Sequence, residues 1–163
     1  MLALECRAIE PGEGHSAGRA LLKEMVEGIT RAPLPEIRIA RRGKPYFPNS
    51  GLHFSLSHTK AHVFCALSYT PIGIDAEEMD RDIPLKLAGK ILSPEELCQY
   101  EAAEDKRLAL LTFWVLKEAQ AKCLGTGLHI WPDHTAFSLD DPRVRKIDGC
   151  LVAVMEKEND HAL

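Results

Sequence analysis

Asp75 and Glu77 stand two residues apart in the segment Ile72-Gly73-Ile74-Asp75-Ala76-Glu77, where apolar and polar residues alternate up to an acidic end. On a strand, side chains two apart project to the same side, close enough for both carboxylates to share one cation. Oxygen-only ligands with no cysteine nearby suit magnesium, or manganese, ions that retain several waters and complete their shell with phosphate oxygens. The same spacing also describes a plain acidic strand end in solvent. Glu118 and Lys122 are four apart in a stretch of helical character, which puts them on one face and one turn from Trp114. They read either as an exposed Glu–Lys pair, with Lys117 extending a charged surface, or as charges turned into a cleft. The cleft is favoured by the almost unbroken apolar run from Leu108 to Leu116 just ahead of them.

Ser57-His58 closes the alternating run Phe54-Ser55-Leu56-Ser57 and places a hydroxyl and an imidazole at a strand end, where a phosphate could bind or where a turn simply forms. Their adjacency does not make a nucleophile, because hydrolytic triads depend on geometry. Arg41, Arg42 and Lys44, just before Pro45, form the most basic short segment of the chain, fit for phosphates or for a solvated turn.

The elements that must position these residues follow from periodicity. Leu22, Met25, Val26 and Ile29 fall on one face of a helix over residues 16–30, with Ser16 as N-cap and Pro33 and Pro35 beyond its end. From Glu36 to Thr70 the pattern changes to short strands, at Ile37 and Ile39, at His53 to Ser57 and at His62 to Ser68, with a turn at Asn49-Ser50-Gly51. Thr70-Pro71 leads into the Asp75 strand. Ser93-Pro94-Glu95-Glu96 is a capping-box signature that opens a helix. Lys106 to Leu124 is a second helical stretch, ended by Gly125-Thr126-Gly127. Thr135 to Leu139 and Cys150 to Met155 return to strand-like alternation before the polar tail Glu156 to His161.

A chain of 163 residues makes one domain or two very small ones and can bury a core without disulfides or structural metal. Its net charge of −4 argues against a broad basic surface for nucleic acid, so any phosphate site must be local. The five cysteines are odd in number, widely spaced and without a C-x-x-C pair, which points to reduced thiols and away from zinc. No targeting segment opens the chain, and no window approaches the ~18 uninterrupted apolar residues of a membrane span. A cytoplasmic protein that binds no membrane is expected.

Taken in order, R-R-G-K-P at 41–45, F-S-L-S-H-T at 54–59, G-I-D-A-E at 73–77, and W-V-L-K-E-A-Q-A-K at 114–122 followed by G-T-G-L at 125–128 resemble the 4′-phosphopantetheinyl transferases of the surfactin-synthetase-activating type. The likeness spans roughly residues 36–140, and more faintly the Arg19-Ala20-Leu21-Leu22 helix. It implies an α+β fold of two pseudo-symmetric halves, each a small antiparallel sheet packed with helix, here 1–69 and 70–163, with coenzyme A between them as co-substrate. By motif, Asp75, Glu77 and Glu118 correspond to the metal carboxylates, which hold magnesium, or manganese, on the pyrophosphate of coenzyme A. Lys122 corresponds to the lysine on that phosphate. Lys44, Ser57 and His58 correspond to coenzyme A contacts, His58 near the 3′-phosphate. The chain departs from the pattern in having only about 40 residues ahead of Lys44, and Arg19 is the best candidate there for a further phosphate contact.

The implied partner is an apo acyl or peptidyl carrier protein, whose serine must lose a proton as it attacks the β-phosphorus, while adenosine 3′,5′-bisphosphate leaves with negative charge. Glu118 and Lys122 are the catalytic candidates for those two needs. Ile83 to Glu104 is a candidate carrier surface, although its Leu85, Leu87, Ile91 and Leu97 also suit a core. Both monomer and dimer are compatible with this reading. The alternatives are a non-catalytic module that binds coenzyme A or a carrier, and a metal-dependent phosphohydrolase that needs no carrier.

Overall fold

The computed structural model describes residues 1, 3–127 and 136–157. In chain order, strand β1 (Ala3–Ala8) leads into helix α1 (Gly14–Thr30), a two-residue ribbon of β2 (Arg38–Ile39) and β3 (Pro45–Tyr46), and a hairpin of β4 (His53–His58) and β5 (His62–Ser68). Strand β6 (Ile72–Glu78) follows, then α2 (Ala88–Ile91), α3 (Pro94–Ala102), α4 (Lys106–Leu124) and a second hairpin of β7 (Val144–Ile147) and β8 (Cys150–Glu156).

The two three-stranded antiparallel sheets, β1-β5-β4 and β6-β8-β7, share one topology. In each, a first strand is followed by helix, a hairpin returns, and the last strand takes the centre. This is the expected α+β fold of repeated halves. Period-two alternation sorts the side chains: Val63, Cys65 and Leu67 of β5 pack with Leu21, Leu22 and Met25 of α1, while Phe64 and Ala66 turn to the opposite face. There they meet Ile72, Ile74 and Ala76 of β6 and Val152 of β8, so an apolar seam joins the two sheets. The remaining face of β6 and β8 packs under α4, through Leu151, Ala153 and Met155 against Leu110, Leu116 and Ala119 among others.

Where β4 meets β6 the sheets are stitched by side chains rather than by a ladder. Ser55 Oγ accepts from Ile74 N at 3.0 Å and Ser57 Oγ from Ala76 N at 3.1 Å, so the hydroxyls satisfy the free edge of β6. Ser55→Ala leaves the buried Ile74 N–H without an acceptor and should cost about 1–2 kcal/mol. A urea titration checks this as a lower midpoint at unchanged slope.

The capping box is present: Ser93 Oγ accepts from Glu96 N at 3.2 Å, and Glu96 Oε2 accepts from Ser93 N at 2.8 Å. Several expectations are corrected. Ser16 is not the N-cap of α1; it lies inside the first turn and donates to Glu13 O at 3.0 Å. Ile29 is 41% exposed, while Leu21 takes its place in the core. Residues 136–139 form no strand; β7 carries that role. Leu128, Thr135 and the tail beyond 157 lie outside the described residues. Among the described residues, no helix is long and apolar enough to cross a membrane.

Candidate active site

The site is built where α4 crosses β6. Gly73, Asp75 and Glu77 share the strand face turned to α4, and Gly73 lets the helix backbone come down on the strand: a Cβ there would lie 2.0 Å from Ala119 O and 2.3 Å from Cys123 N. That approach sets Lys122 on Asp75, with Nζ 2.7 Å from Oδ1. Ser57 Oγ lies 3.3 Å from the same carboxylate oxygen and 3.4 Å from Lys122 Nζ. Glu77 forms an ion pair with Arg81 and accepts a hydrogen bond from Trp114, and the Arg81 guanidinium stacks over the Trp114 ring at 5.6 Å.

Glu118 completes the cluster. It is buried, and its Oε1, like Asp75 Oδ2, has no hydrogen-bond partner. Burial, and then the negative charge of Asp75, pushes the Glu118 carboxyl up to about 7. Burial also raises Asp75, offset by Lys122, and burial together with Asp75 raises Glu77. Among the described residues no three His, Cys, Asp or Glu side chains are gathered as a ready-made metal site; Glu77 is paired with Arg81 and Asp75 with Lys122. An oxygen-only donor set with two buried, orphaned carboxylate oxygens nevertheless fits a hard divalent cation.

Two cavities border the cluster. One, of about 260 Å³, is mostly apolar, lined by Lys44, Pro45, Phe54 and Leu56 and bounded by Glu118 and Lys122. Lys44 is fixed at its wall, donating to Ile72 O at 3.2 Å and to Cys123 O at 2.9 Å; burial lowers its pKa. Gly125, with φ of 68°, ends α4 in the left-handed conformation, and a Cβ there would lie 3.4 Å from the Lys44 stem. The second, wider cavity is lined by His58, Gly14, Glu77 and Arg81. The His58 ring packs on Gly14, where a Cβ would come within 2.6 Å of it. Of the residues singled out from sequence, Asp75, Glu77, Glu118, Lys122 and Ser57 come together, Lys44 and His58 line the two cavities, and Arg19 is exposed on α1 and lines neither.

Comparison with known proteins decides the family. The model of the 4′-phosphopantetheinyl transferase superfamily matches residues 71–157, more than half of the chain. This chain belongs to that superfamily. It is 33% identical to the 4′-phosphopantetheinyl transferase HetI of Nostoc sp. over 123 residues, covering 69% of this chain and 52% of that protein. The 4′-phosphopantetheinyl transferase Sfp of Bacillus subtilis is 31% identical over 119 residues, with 69% and 52% covered. The transferase gsp of Aneurinibacillus migulanus is 29% identical over 117 residues, with 69% and 48% covered. The chain spans about half the length of the curated relatives it matches.

Two features of this superfamily member escape a reading of its sequence. Lys117 is not part of a charged surface: it is 5% exposed and pairs at 2.8 Å with Glu96, whose carboxylate is fully buried and also accepts from Phe137 N at 3.0 Å. Arg81 is the other. It sits four residues after Glu77, beyond the end of the strand, where helical spacing arguments do not apply.

The raised carboxyl makes a pH prediction for the metal-free protein. Glu118 has a folded pKa of about 7 against an ordinary 4.5, so the folded state prefers the protonated form. Its stabilising contribution is full below about 4.5 and is lost as pH rises through about 7. The melting temperature in EDTA should therefore fall across that window, and Glu118→Gln should remove most of the fall. A flat profile for the unsubstituted chain would place the Glu118 charge in a better solvated setting.

Proposed function

We propose that this chain transfers the phosphopantetheine arm of coenzyme A to a serine of an apo acyl or peptidyl carrier protein, releasing adenosine 3′,5′-bisphosphate. The observation that carries the reading is the cluster of Asp75, Glu77 and Glu118, with two orphaned buried carboxylate oxygens, set beside Lys122 between two cavities. Membership of the superfamily and similarity to the 4′-phosphopantetheinyl transferases HetI, Sfp and gsp support it.

Asp75, Glu77 and Glu118 are the residues to hold magnesium, with manganese as the alternative. Bound there, the ion would neutralise the pyrophosphate and the charge that develops on the leaving group. The chain's own residues supply the rest. The serine oxygen forms a bond to the β-phosphorus as the bond from that phosphorus to the bridging oxygen breaks, and the electron pair leaves with the bisphosphate. Glu118 takes the serine proton as general base, from a buried position beside Asp75 and Lys122. Lys122 offers its ammonium to the phosphate oxygens, from a position fixed by Asp75. Lys44, Ser57 and His58 orient coenzyme A, with His58 toward the 3′-phosphate, and Arg19 is the outlying contact.

The division at residues 69 and 70 belongs to the same reading and is supported by the repeated sheet order on either side of it. A cytoplasmic location is supported by five cysteines that all remain free thiols.

Intact-protein mass spectrometry of apo carriers, after incubation with coenzyme A, magnesium chloride and this protein, tests the proposal. A gain of one phosphopantetheine arm, lost with EDTA, is the expected result. Coenzyme A binding without a gain on any carrier would mark a non-catalytic module, and release of phosphopantetheine without a carrier would mark a phosphohydrolase.

A further inference from the structure

The carboxylate cluster holds more charge than Lys122 can balance. Burial raises the carboxyls of Asp75, Glu77 and Glu118, and Lys122 and Arg81 are cations whose charges act against that rise at all three. Arg81 is held in place at both ends. Its backbone carbonyl accepts from Arg107 Nη1 at 3.2 Å, and the same Nη1 donates to Met79 O at 2.6 Å, so the turn after β6 is tied to α4. Its guanidinium is stacked on Trp114 and paired with Glu77, yet the side chain remains 38% exposed toward the wider cavity.

That cavity is polarised. One wall is made by His58, Lys60 and the start of α1, where Lys60 brings a positive charge and the N-cap is Glu13. The other wall carries Glu77, Glu78, Asp80 and Asp82. Arg81 is the positive group embedded in the acidic wall. Glu77 cannot give both oxygens to a metal while it holds Arg81, so a divalent cation and the guanidinium compete for one carboxylate. A guanidinium displaced from Glu77 has planar paired donors, matched to phosphate oxygens, and already lines the cavity.

Resting on the transferase reading above, we infer that Arg81 is an exchangeable counter-ion: it occupies Glu77 in the metal-free protein and moves to the phosphate oxygens of the nucleotide donor when a divalent cation takes Glu77. Arg81 therefore weakens binding of the metal alone and strengthens binding of the donor. A merely structural arginine would not shift the two affinities in opposite directions.

The test uses the whole chain and two binding measurements, neither of which needs turnover. Manganese binding without nucleotide is followed by electron paramagnetic resonance, and coenzyme A binding with magnesium chloride by calorimetry, for the unsubstituted chain, Arg81→Gln and Arg81→Lys. Circular dichroism confirms that each is folded. Arg81→Gln should bind manganese about three- to tenfold more tightly and coenzyme A about tenfold more weakly, the scale of one charged hydrogen-bonding partner. Arg81→Lys should keep the manganese affinity near that of the unsubstituted chain and recover only part of the coenzyme A affinity. Equal or weaker manganese binding by Arg81→Gln overturns the counter-ion role. Equal coenzyme A binding overturns the phosphate role. No coenzyme A binding by the unsubstituted chain overturns the donor reading itself, and the phosphate role of Arg81 with it.

Discussion

Glu118→Gln should lower carrier modification by about two to four orders of magnitude, the range expected when a positioned base loses its proton acceptor, while the protein stays folded. Gln keeps the shape of Glu and removes the charge that burial penalises. Glu118 Oε1 has no hydrogen-bond partner to lose, so the substitution breaks no contact recorded for that atom. In the metal-free state the variant should be at least as stable as the parent near neutral pH, because the group it replaces disfavours its own ionised form there. Lys122 is a poorer probe. Removing it leaves Asp75, whose side chain is 9% exposed, without its 2.7 Å partner, so lost activity and lost stability would be confounded. Intact mass of the carrier over time gives the rate, and a thermal melt of the same sample gives the stability. A Glu118→Gln protein of undiminished rate would remove Glu118 from the proton transfer and leave Asp75 or Glu77 to account for it.

The parts of this site that were legible in the sequence are those fixed by local rules. Period two sets Asp75 and Glu77 on one face, period 3.6 sets Glu118 and Lys122 on another, and the capping box sets the start of α3. The ends of α4 fall at Lys106 and Leu124, as Asp105 ahead and Gly125 behind dictate. What was not legible depends on partners distant in the chain. β1 is an edge strand with mostly half-buried or exposed residues, Ala3-Leu4-Glu5-Cys6-Arg7-Ala8, and only its register with β5 makes it a strand. β7 has four residues and no buried one, and it exists by pairing with β8. Lys117 resembles a surface lysine until the carboxylate of Glu96, 21 positions earlier, is brought to it by the packing of α3 on α4. Arg81 lies in a turn between two acidic residues, and neither period nor composition distinguishes it from a solvated charge. Ser55 and Ser57 look like the polar half of an alternating strand, whereas both are buried and hold the seam with β6.

Gly73→Val should be the most damaging single substitution in the β6 segment for the fold. The contact it would make is with backbone: Ala119 O at 2.0 Å, Cys123 N at 2.3 Å and Cys123 Cα at 2.9 Å from the first added carbon alone. No rotamer change relieves a clash at Cβ, so strand and helix must separate. α4 cannot lift freely, because Leu110, Leu111, Phe113, Leu116 and Ala119 are all fully buried on it. Lys44 also ties the carbonyl of Cys123 to the turn between β2 and β3. Overpacking into a fixed core costs about 1–3 kcal/mol when side chains can yield, and more where only backbone can; a loss above about 3 kcal/mol is expected here, with Gly73→Ala only somewhat milder. Urea denaturation measures it directly. The same displacement draws Glu118 and Lys122 away from Asp75, so even the folded fraction should bind coenzyme A poorly. A Gly73→Ala protein with the parent midpoint would mean that α4 can ride off β6 at little cost. The 2.7 Å pairing of Lys122 with Asp75 would then be held by the α4 core rather than by the glycine in the strand. Loss of stability together with loss of binding would make that glycine the residue that sets helix against strand, and thereby the spacing of the site's charges.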